Sequence, residues 1–157
     1  MSESNAFDSL SQWVVNFISH KDIFLKQIKQ INKERYECCV VLSPECYSSC
    51  KIKYFVLPVL DICIKQEADS FFADAGSFAD AKMFVVAFNS KKNIDFLYKN
   101  WDYFVSYKSL AFVFVNLDNN TWFALKPYVH SRVSDSLSLK KGLFSMAQAA
   151  GWFSFAQ

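Results

Sequence analysis

The stretch Met83–Phe88, MFVVAF, is a continuous apolar run, and a second run, LAFVFVNL, follows at Leu110–Leu117. Such runs, with little polar alternation, are typical of strands buried on both faces. Between them apolar residues recur at helical spacing, which predicts a helix over Lys92–Tyr107. A strand, a helix and a strand in this order predict a parallel pair joined by a right-handed crossover.

Before these runs, the pattern predicts a strand at Arg35–Ser43, one long strand or two short ones at Lys51–Lys65, and a helix at Glu67–Ala81. Pro58 marks a bulge, a break or an edge in the second strand, because proline cannot donate to a ladder. An amphipathic helix leads the chain over Phe7–Ile31. Its Ser19-His20-Lys21-Asp22 segment has the spacing of a capping box, which leaves open whether the helix is one or two.

After them, the turn Asp118-Asn119-Asn120 and a strand over Thr121–His130 predict a hairpin. A final helix begins after Ser134 or Asp135 and ends at Gly151. The whole order predicts an α/β fold with three layers: a mixed sheet of about five strands with helices on both faces. We expect a single domain over 1–157, with a disordered N-terminus at 1–5 and an aromatic C-terminal tail at 152–157.

The composition narrows the class of protein. The chain has 157 residues, is 52% hydrophobic and 18% aromatic, and has a net charge of only +2, so no global charge favours a nucleic-acid or membrane partner. The N-terminus does not resemble a secretory signal, and the longest uncharged run, Gly142–Gln157, is too short to span a membrane. We therefore expect a cytoplasmic protein with no membrane partner. The five cysteines are expected to be reduced, and Cys46 and Cys50 lack the further ligands that a zinc site needs.

One candidate constellation lies in Asp61-Ile62-Cys63-Ile64-Lys65. In a strand, alternate residues share a face, so Asp61, Cys63 and Lys65 are predicted to point the same way. An acid and a lysine placed together can hold a divalent metal and orient a water for phosphodiester hydrolysis. The alternative is that Lys65 ends a strand at the surface and Asp61 faces solvent beside the proline.

In element order, Phe7–Phe88 resembles the restriction-endonuclease-like superfamily. The resemblance implies that Lys65 is the catalytic lysine and that Asp61 is the metal-binding carboxylate, with magnesium as the cofactor. Cys63 stands where that family has an acid, and thiols are poor ligands for magnesium. This substitution indicates a degenerate site or an accidental likeness. Without the nuclease activity, no cofactor or metal is predicted.

A second constellation lies in the predicted strand Thr121–His130. Lys126, Tyr128 and His130 would share one face, and Arg132 follows in the loop before the last helix. Histidine suits proton transfer near neutral pH, and arginine binds carboxylate or phosphate through paired hydrogen bonds. These residues are candidates for an anion- or nucleic-acid-binding edge. The alternative is a solvated strand face, with Asp135 capping the helix.

Three rings close the chain: Trp152, Phe153 and Phe155. Exposed rings would be a liability in a monomer, so they either fold back or bury against a partner, and a homodimer through this end is one expectation. Overall the sequence favours a non-catalytic binding or interaction module with a protein partner or a second copy. The alternative is a nucleic-acid-binding protein or metal-dependent nuclease, active or not.

Overall fold

A computed structural model describes residues 2–25, 28–34, 37–42, 52–74, 81–131 and 135–154 of the chain. Their helices and strands follow in the order α1 (Glu3–Leu25), β1 (Ile28–Glu34), β2 (Glu37–Leu42), β3 (Ile52–Val56), α2 (Cys63–Asp74), β4 (Lys82–Phe88), α3 (Lys91–Lys99), α4 (Trp101–Phe104), β5 (Leu110–Asn116), β6 (Thr121–Leu125), α5 (Pro127–His130) and α6 (Ser136–Ala150).

These strands form one sheet in the order β1-β2-β3-β4-β5-β6. The pairs β3–β4 and β4–β5 are parallel, and the other neighbours are antiparallel. The mixed α/β class and the parallel pairing predicted from the apolar runs are therefore confirmed. The expected count of about five strands is not confirmed, because the described residues form six, and β1 begins where the spacing predicts helix.

The two faces of strand β4 are buried in different hydrophobic clusters. Met83, Val85 and Ala87 of β4 are buried in a cluster with residues of α2, α3, α4 and α6. Val86 and Phe88, which alternate with them, are buried in a second cluster with α1. Helix α1 contributes residues spaced four apart: Ala6, Leu10, Val14 and Ile18. Burial on both faces explains why β4 reads as a continuous apolar run.

The N-terminal helix differs from its prediction at both ends. Residues 3–5, expected to be disordered, lie in α1, where the Ser2 hydroxyl accepts a hydrogen bond from the Asn5 amide. The helix runs through the segment 19–22 without a break, so of the two alternatives that the sequence leaves open, one helix or two, the structure has one. At the other end, Ile28 and Ile31 fit the helical spacing but pair antiparallel with β2 instead. Tertiary pairing overrides a local pattern there.

The prediction for Lys51–Lys65, one long strand or two short ones, is wrong after Val56. Strand β3 ends there, a loop follows through Pro58, and α2 begins at Cys63. Ile64, Ala68 and Phe71 are buried at helical spacing, so the helical face starts earlier than predicted. The alternation of polar and apolar residues from 61 to 65 is too short to distinguish a strand from a helix start.

A buried asparagine holds the loop after β3 in place. Asn93, fully buried at the start of α3, accepts a hydrogen bond from the Leu60 amide at 2.8 Å. Its amide group donates to the Pro58 and Phe88 carbonyls at 2.9 and 2.8 Å. The side chain therefore makes three hydrogen bonds, and these tie the β3–α2 loop to the end of β4.

Candidate functional site

The first predicted constellation is not assembled as a strand face. The Asp61 carboxylate accepts a hydrogen bond from the Cys63 amide at 2.8 Å, a local turn at the start of α2. Lys65 lies within the helix, with its Nζ 4.8 Å from the centre of the Tyr103 ring. No ion pair between Asp61 and Lys65 is found in the described part of the chain. The co-facial arrangement is therefore wrong, because these residues start a helix.

The Cys63 thiol is a weak nucleophile in this position. Although the residue as a whole is exposed, desolvation of the thiol raises its pKa to about 12, and the hydrogen bond and negative charge of Asp61 add to the rise. A thiol that stays protonated at neutral pH neither attacks nor ligates readily. Among the described residues, no group of three His, Cys, Asp or Glu side chains could hold a metal ion. Cys46 and Cys50 lie outside these residues.

The second constellation also rests on a strand that ends earlier than predicted. Strand β6 stops at Leu125, and Pro127 occupies the first turn of the short helix α5. Proline suits a helix start because its missing N–H has no helical partner there. Lys126, Tyr128 and His130 therefore do not share a strand face, although all three are exposed.

The contacts of Lys126 and His130 lie mostly within their own helical turn. The His130 Nδ1 atom lies 2.8 Å from the Lys126 carbonyl oxygen, so the imidazole contacts its own helical turn. Lys108 lies over the Tyr128 ring at 5.6 Å. Arg132 lies outside the described residues. Asp135 caps α6 by accepting a hydrogen bond from the Ser138 amide at 2.7 Å, and this bond lowers the pKa of the carboxyl group. An anion-binding role for this edge stays a prediction.

The C-terminal tail folds back onto the domain as far as it is described. Phe153 is only 7% exposed and stacks on Phe88, with ring centres 4.3 Å apart. Its amide donates to the Asn89 carbonyl, and the Asn89 side chain donates to the Gly151 carbonyl at 2.8 Å. The Phe153 ring is therefore part of the core, and an interface through this end of the chain stays a prediction. Trp152 is half-buried near Phe144, and Phe155 lies outside the described residues.

An aromatic surface that the sequence did not reveal lies between α1 and β6. We call Trp13, Phe17, Lys21 and Trp122 the tryptophan patch. Trp13 and Phe17 stack with ring centres 4.9 Å apart, and Trp122 meets Phe17 edge to face, also at 4.9 Å. Trp122 is 44% exposed. The spacing of Trp13 and Phe17 on one helix was visible in the sequence, but their contact with Trp122 was not.

Polar contacts hold the patch at its borders. The Lys21 Nζ atom lies 4.3 Å from the centre of the Phe17 ring, and such cation–π contacts are worth about 0.5–1 kcal/mol at exposed sites. The Trp13 indole N–H donates to the Asn120 side-chain oxygen at 3.3 Å. Asn120 has a positive φ of 54°, which asparagine tolerates better than most residues in a tight turn. The rings are therefore positioned by the helix, the strand and the turn before it.

The strand that carries Trp122 is at an edge of the sheet. In the described part of the chain, β6 pairs only with β5. Its sequence, TWFAL, has no charged residue, whereas β1 at the opposite edge, IKQINKE, has Lys29, Lys33 and Glu34. Charged residues are a common device that keeps edge strands from pairing with other chains. The β6 edge lacks that device.

The fold and the patch define a mixed α/β protein with an exposed aromatic surface beside an edge strand, β6, that has one paired neighbour among the described residues. Comparisons with family models, curated proteins and solved structures find no match. The resemblance to the restriction-endonuclease-like superfamily therefore stays a prediction. No helix in the described residues combines the length and apolar character needed to cross a membrane.

Proposed function

We propose that this protein is a non-catalytic binding module that engages another protein chain through the tryptophan patch and the β6 edge. The observation that carries the proposal is the exposure of Trp122 on an edge strand without charged residues. We also propose that the two packing clusters make the sheet the middle of three layers. The edges of such a sheet are then the places where a further strand can be added.

Burial of the patch would supply a large share of the binding energy. A tryptophan buries roughly 150–250 Å², so the 44% of Trp122 that is exposed corresponds to about 100 Å². At about 25 cal/mol per Å², covering it contributes about 2.5 kcal/mol. Aromatic residues that are partly packed before binding lose little side-chain entropy when they are covered, which is why tryptophan is enriched among binding hot spots.

We propose a second copy of this chain as the partner. Two β6 strands related by a two-fold axis would pair antiparallel, and the same residues would meet on both sides. Trp122 would then contribute from each copy, next to the paired backbones. The charge-free sequence of β6 supports this arrangement, because like charges meeting across a two-fold axis would repel.

Sedimentation velocity over a range of protein concentrations tests the proposal. We expect a dimer for the wild type and a dimer weakened at least about a hundredfold for Trp122→Lys, because each copy loses apolar contact and gains a charge at the edge. Ile62→Lys is the matched control, since Ile62 is 73% exposed but lies before α2, away from β6. Far-UV circular dichroism establishes that both variants are folded.

A wild-type chain that is monomeric at every concentration would contradict the self-association. Equal weakening by Trp122→Lys and Ile62→Lys would contradict the role of the patch, because general surface charge would then explain the result. A dimer that both variants retain would place the interface elsewhere on the protein.

A further inference from the structure

Two helices that pack in the core cluster on one face of β4 form a surface rich in lysine. Helix α3, KKNIDFLYK, has three lysines and one aspartate, and α6, SLSLKKGLFSMAQAA, has two lysines and no acidic residue. The aspartate, Asp95, pairs with Lys99 at 2.6 Å. The two helices therefore carry a local excess of positive charge, which the net charge of +2 for the whole chain does not reveal.

Contacts at their ends show that α3 and α6 lie antiparallel. The Nζ atom of Lys91, at the start of α3, lies 5.9 Å from the ring centre of Trp152, just after the end of α6. At the other end, the Nζ atom of Lys140 lies 5.5 Å from the ring centre of Tyr98. Phe144 meets Trp152 with ring centres 6.0 Å apart. We give the name α3–α6 seam to these five residues: Lys91, Tyr98, Lys140, Phe144 and Trp152.

The seam fixes its rings and leaves its ammonium groups accessible. Its three rings are half-buried and pack against the core cluster, so each is partly accessible to solvent. Lys91 and Lys140 are exposed, and among the described residues neither is in an ion pair. Their distances of 5.9 and 5.5 Å are close to the outer limit of about 6 Å for a cation–π contact, so each lysine can turn from its ring at little cost.

Rings and lysines placed side by side fit a single-stranded nucleic acid. Its bases have flat faces that stack on aromatic side chains, and its phosphates bind ammonium groups. Lys91 and Tyr98 lie two turns apart on one side of α3, a separation of about 10 Å. A stacked strand advances about 3.4 Å per nucleotide, so the seam has the length of about three nucleotides.

We propose that the α3–α6 seam binds single-stranded nucleic acid, with bases against its rings and phosphates at Lys91 and Lys140. An acidic peptide would use the lysines but would have no bases to stack on the rings, and a duplex keeps its base faces inside. The seam belongs to the core cluster on the opposite face of β4 from α1. The proposal therefore goes beyond the self-association through the tryptophan patch and does not depend on it.

The test is fluorescence anisotropy of the intact protein with short labelled oligothymidine and oligouridine strands. We expect both strands to bind saturably, with an affinity that falls as salt rises. The double variant Lys91→Ala/Lys140→Ala should bind at least about tenfold more weakly. It should also reduce the slope of log affinity against log salt by about 1.4, since each phosphate contact in a single strand contributes about 0.7.

A second variant tests the stacking separately from the charge. Trp152→Leu keeps an apolar side chain but removes the ring, so it should weaken binding at least about fivefold and leave the salt slope unchanged. Lys108→Ala is the matched control, because Lys108 is exposed and lies 5.6 Å from the Tyr128 ring centre but belongs to neither helix. It should bind like the wild type, and thermal melts establish that all variants are folded.

Three results would overturn the proposal. The first is a wild type that binds neither strand saturably at low salt. The second is equal weakening by Lys108→Ala and by the double lysine variant, because general surface charge would then explain the binding. The third is competition by a polyglutamate peptide that equals competition by the unlabelled strand, because the bases would then contribute nothing.

Discussion

Replacing Asn93 by alanine should lower the free energy of unfolding by about 1.5–5.5 kcal/mol. Asn93 is fully buried, and its side chain makes three hydrogen bonds to backbone groups. The substitution does not affect the three backbone groups equally, because two of them keep another hydrogen bond. The Pro58 carbonyl still accepts from the Phe88 amide, and the Phe88 carbonyl still accepts from the Ser90 amide. Among the described contacts, the Leu60 amide has the Asn93 oxygen as its acceptor.

The expected magnitude follows from this difference. A buried amide left without an acceptor costs about 1–3 kcal/mol, and each of the two remaining bonds contributes about 0.5–1.5 kcal/mol. Their sum is about 2–6 kcal/mol. Alanine in the first turn of α3 offsets roughly 0.5 kcal/mol of this loss through its higher helix propensity, which leaves about 1.5–5.5 kcal/mol. Asn93→Asp should be at least as damaging, because it loses both donors and places a charge in the core.

Urea unfolding, with fluorescence and circular dichroism as independent probes, measures this change. The midpoint should fall while the dependence on urea stays constant, since the variant alters stability rather than the surface exposed on unfolding. Asn16→Ala, on the exposed side of α1, is the control and should change stability by no more than about 0.5 kcal/mol. A loss below about 1 kcal/mol for Asn93→Ala would refute the reasoning and mean that the loop finds other partners.

Two further predictions concern the start of α2. Iodoacetamide should alkylate Cys63 slowly at pH 8 and faster as the pH approaches the thiol pKa of about 12, and Asp61→Asn should speed the reaction about threefold to tenfold at pH 8. Peptide mass spectrometry reads this rate at Cys63 alone, and an unchanged rate in Asp61→Asn would exclude the carboxylate as a cause. The wild type should not cleave labelled DNA or RNA with magnesium or manganese, because Lys65 lies over Tyr103 and apart from Asp61. Cleavage by the wild type that is lost in Lys65→Ala would contradict this prediction and support a nuclease activity that depends on Lys65.

Helices and strands are predicted correctly from the sequence where the local pattern agrees with the buried environment. Both faces of the strand Met83–Phe88 are buried. The run therefore has no polar positions, and its apolar pattern is continuous. The last helix has its cap at Asp135 and its end at Gly151, which has a φ of 81°. Both signals depend on nearest neighbours, so the sequence contains them in full.

The prediction is wrong where a short alternation of polar and apolar residues resembles a strand. Residues 61–65 and 126–130 each alternate for only a few positions, and each follows or contains a proline that ends the strand. Pro127 in particular is a helix-start signal that the alternation concealed. Both candidate sites were built on those strands, so both lost their common face when the backbone proved helical.

The surfaces that carry the two proposals could not be read from one sequence. Trp13 contacts the turn before β6 across 107 residues, and Lys91 at the start of α3 lies over Trp152 after the end of α6. Such pairs form only after the sheet brings distant elements together, and no local spacing encodes them. The sequence shows a tryptophan or a tyrosine, but only the fold shows which rings remain exposed.

Hydrogen exchange of the β6 amides, measured against protein concentration, tests most directly whether this edge binds a second copy. In an antiparallel edge strand, alternate amides point away from the sheet and exchange with solvent. If two copies pair through β6, the outward amides among Thr121–Leu125 should become protected as the concentration rises, and Trp122→Lys should remove that protection. Exchange that does not depend on concentration would contradict the proposed interface.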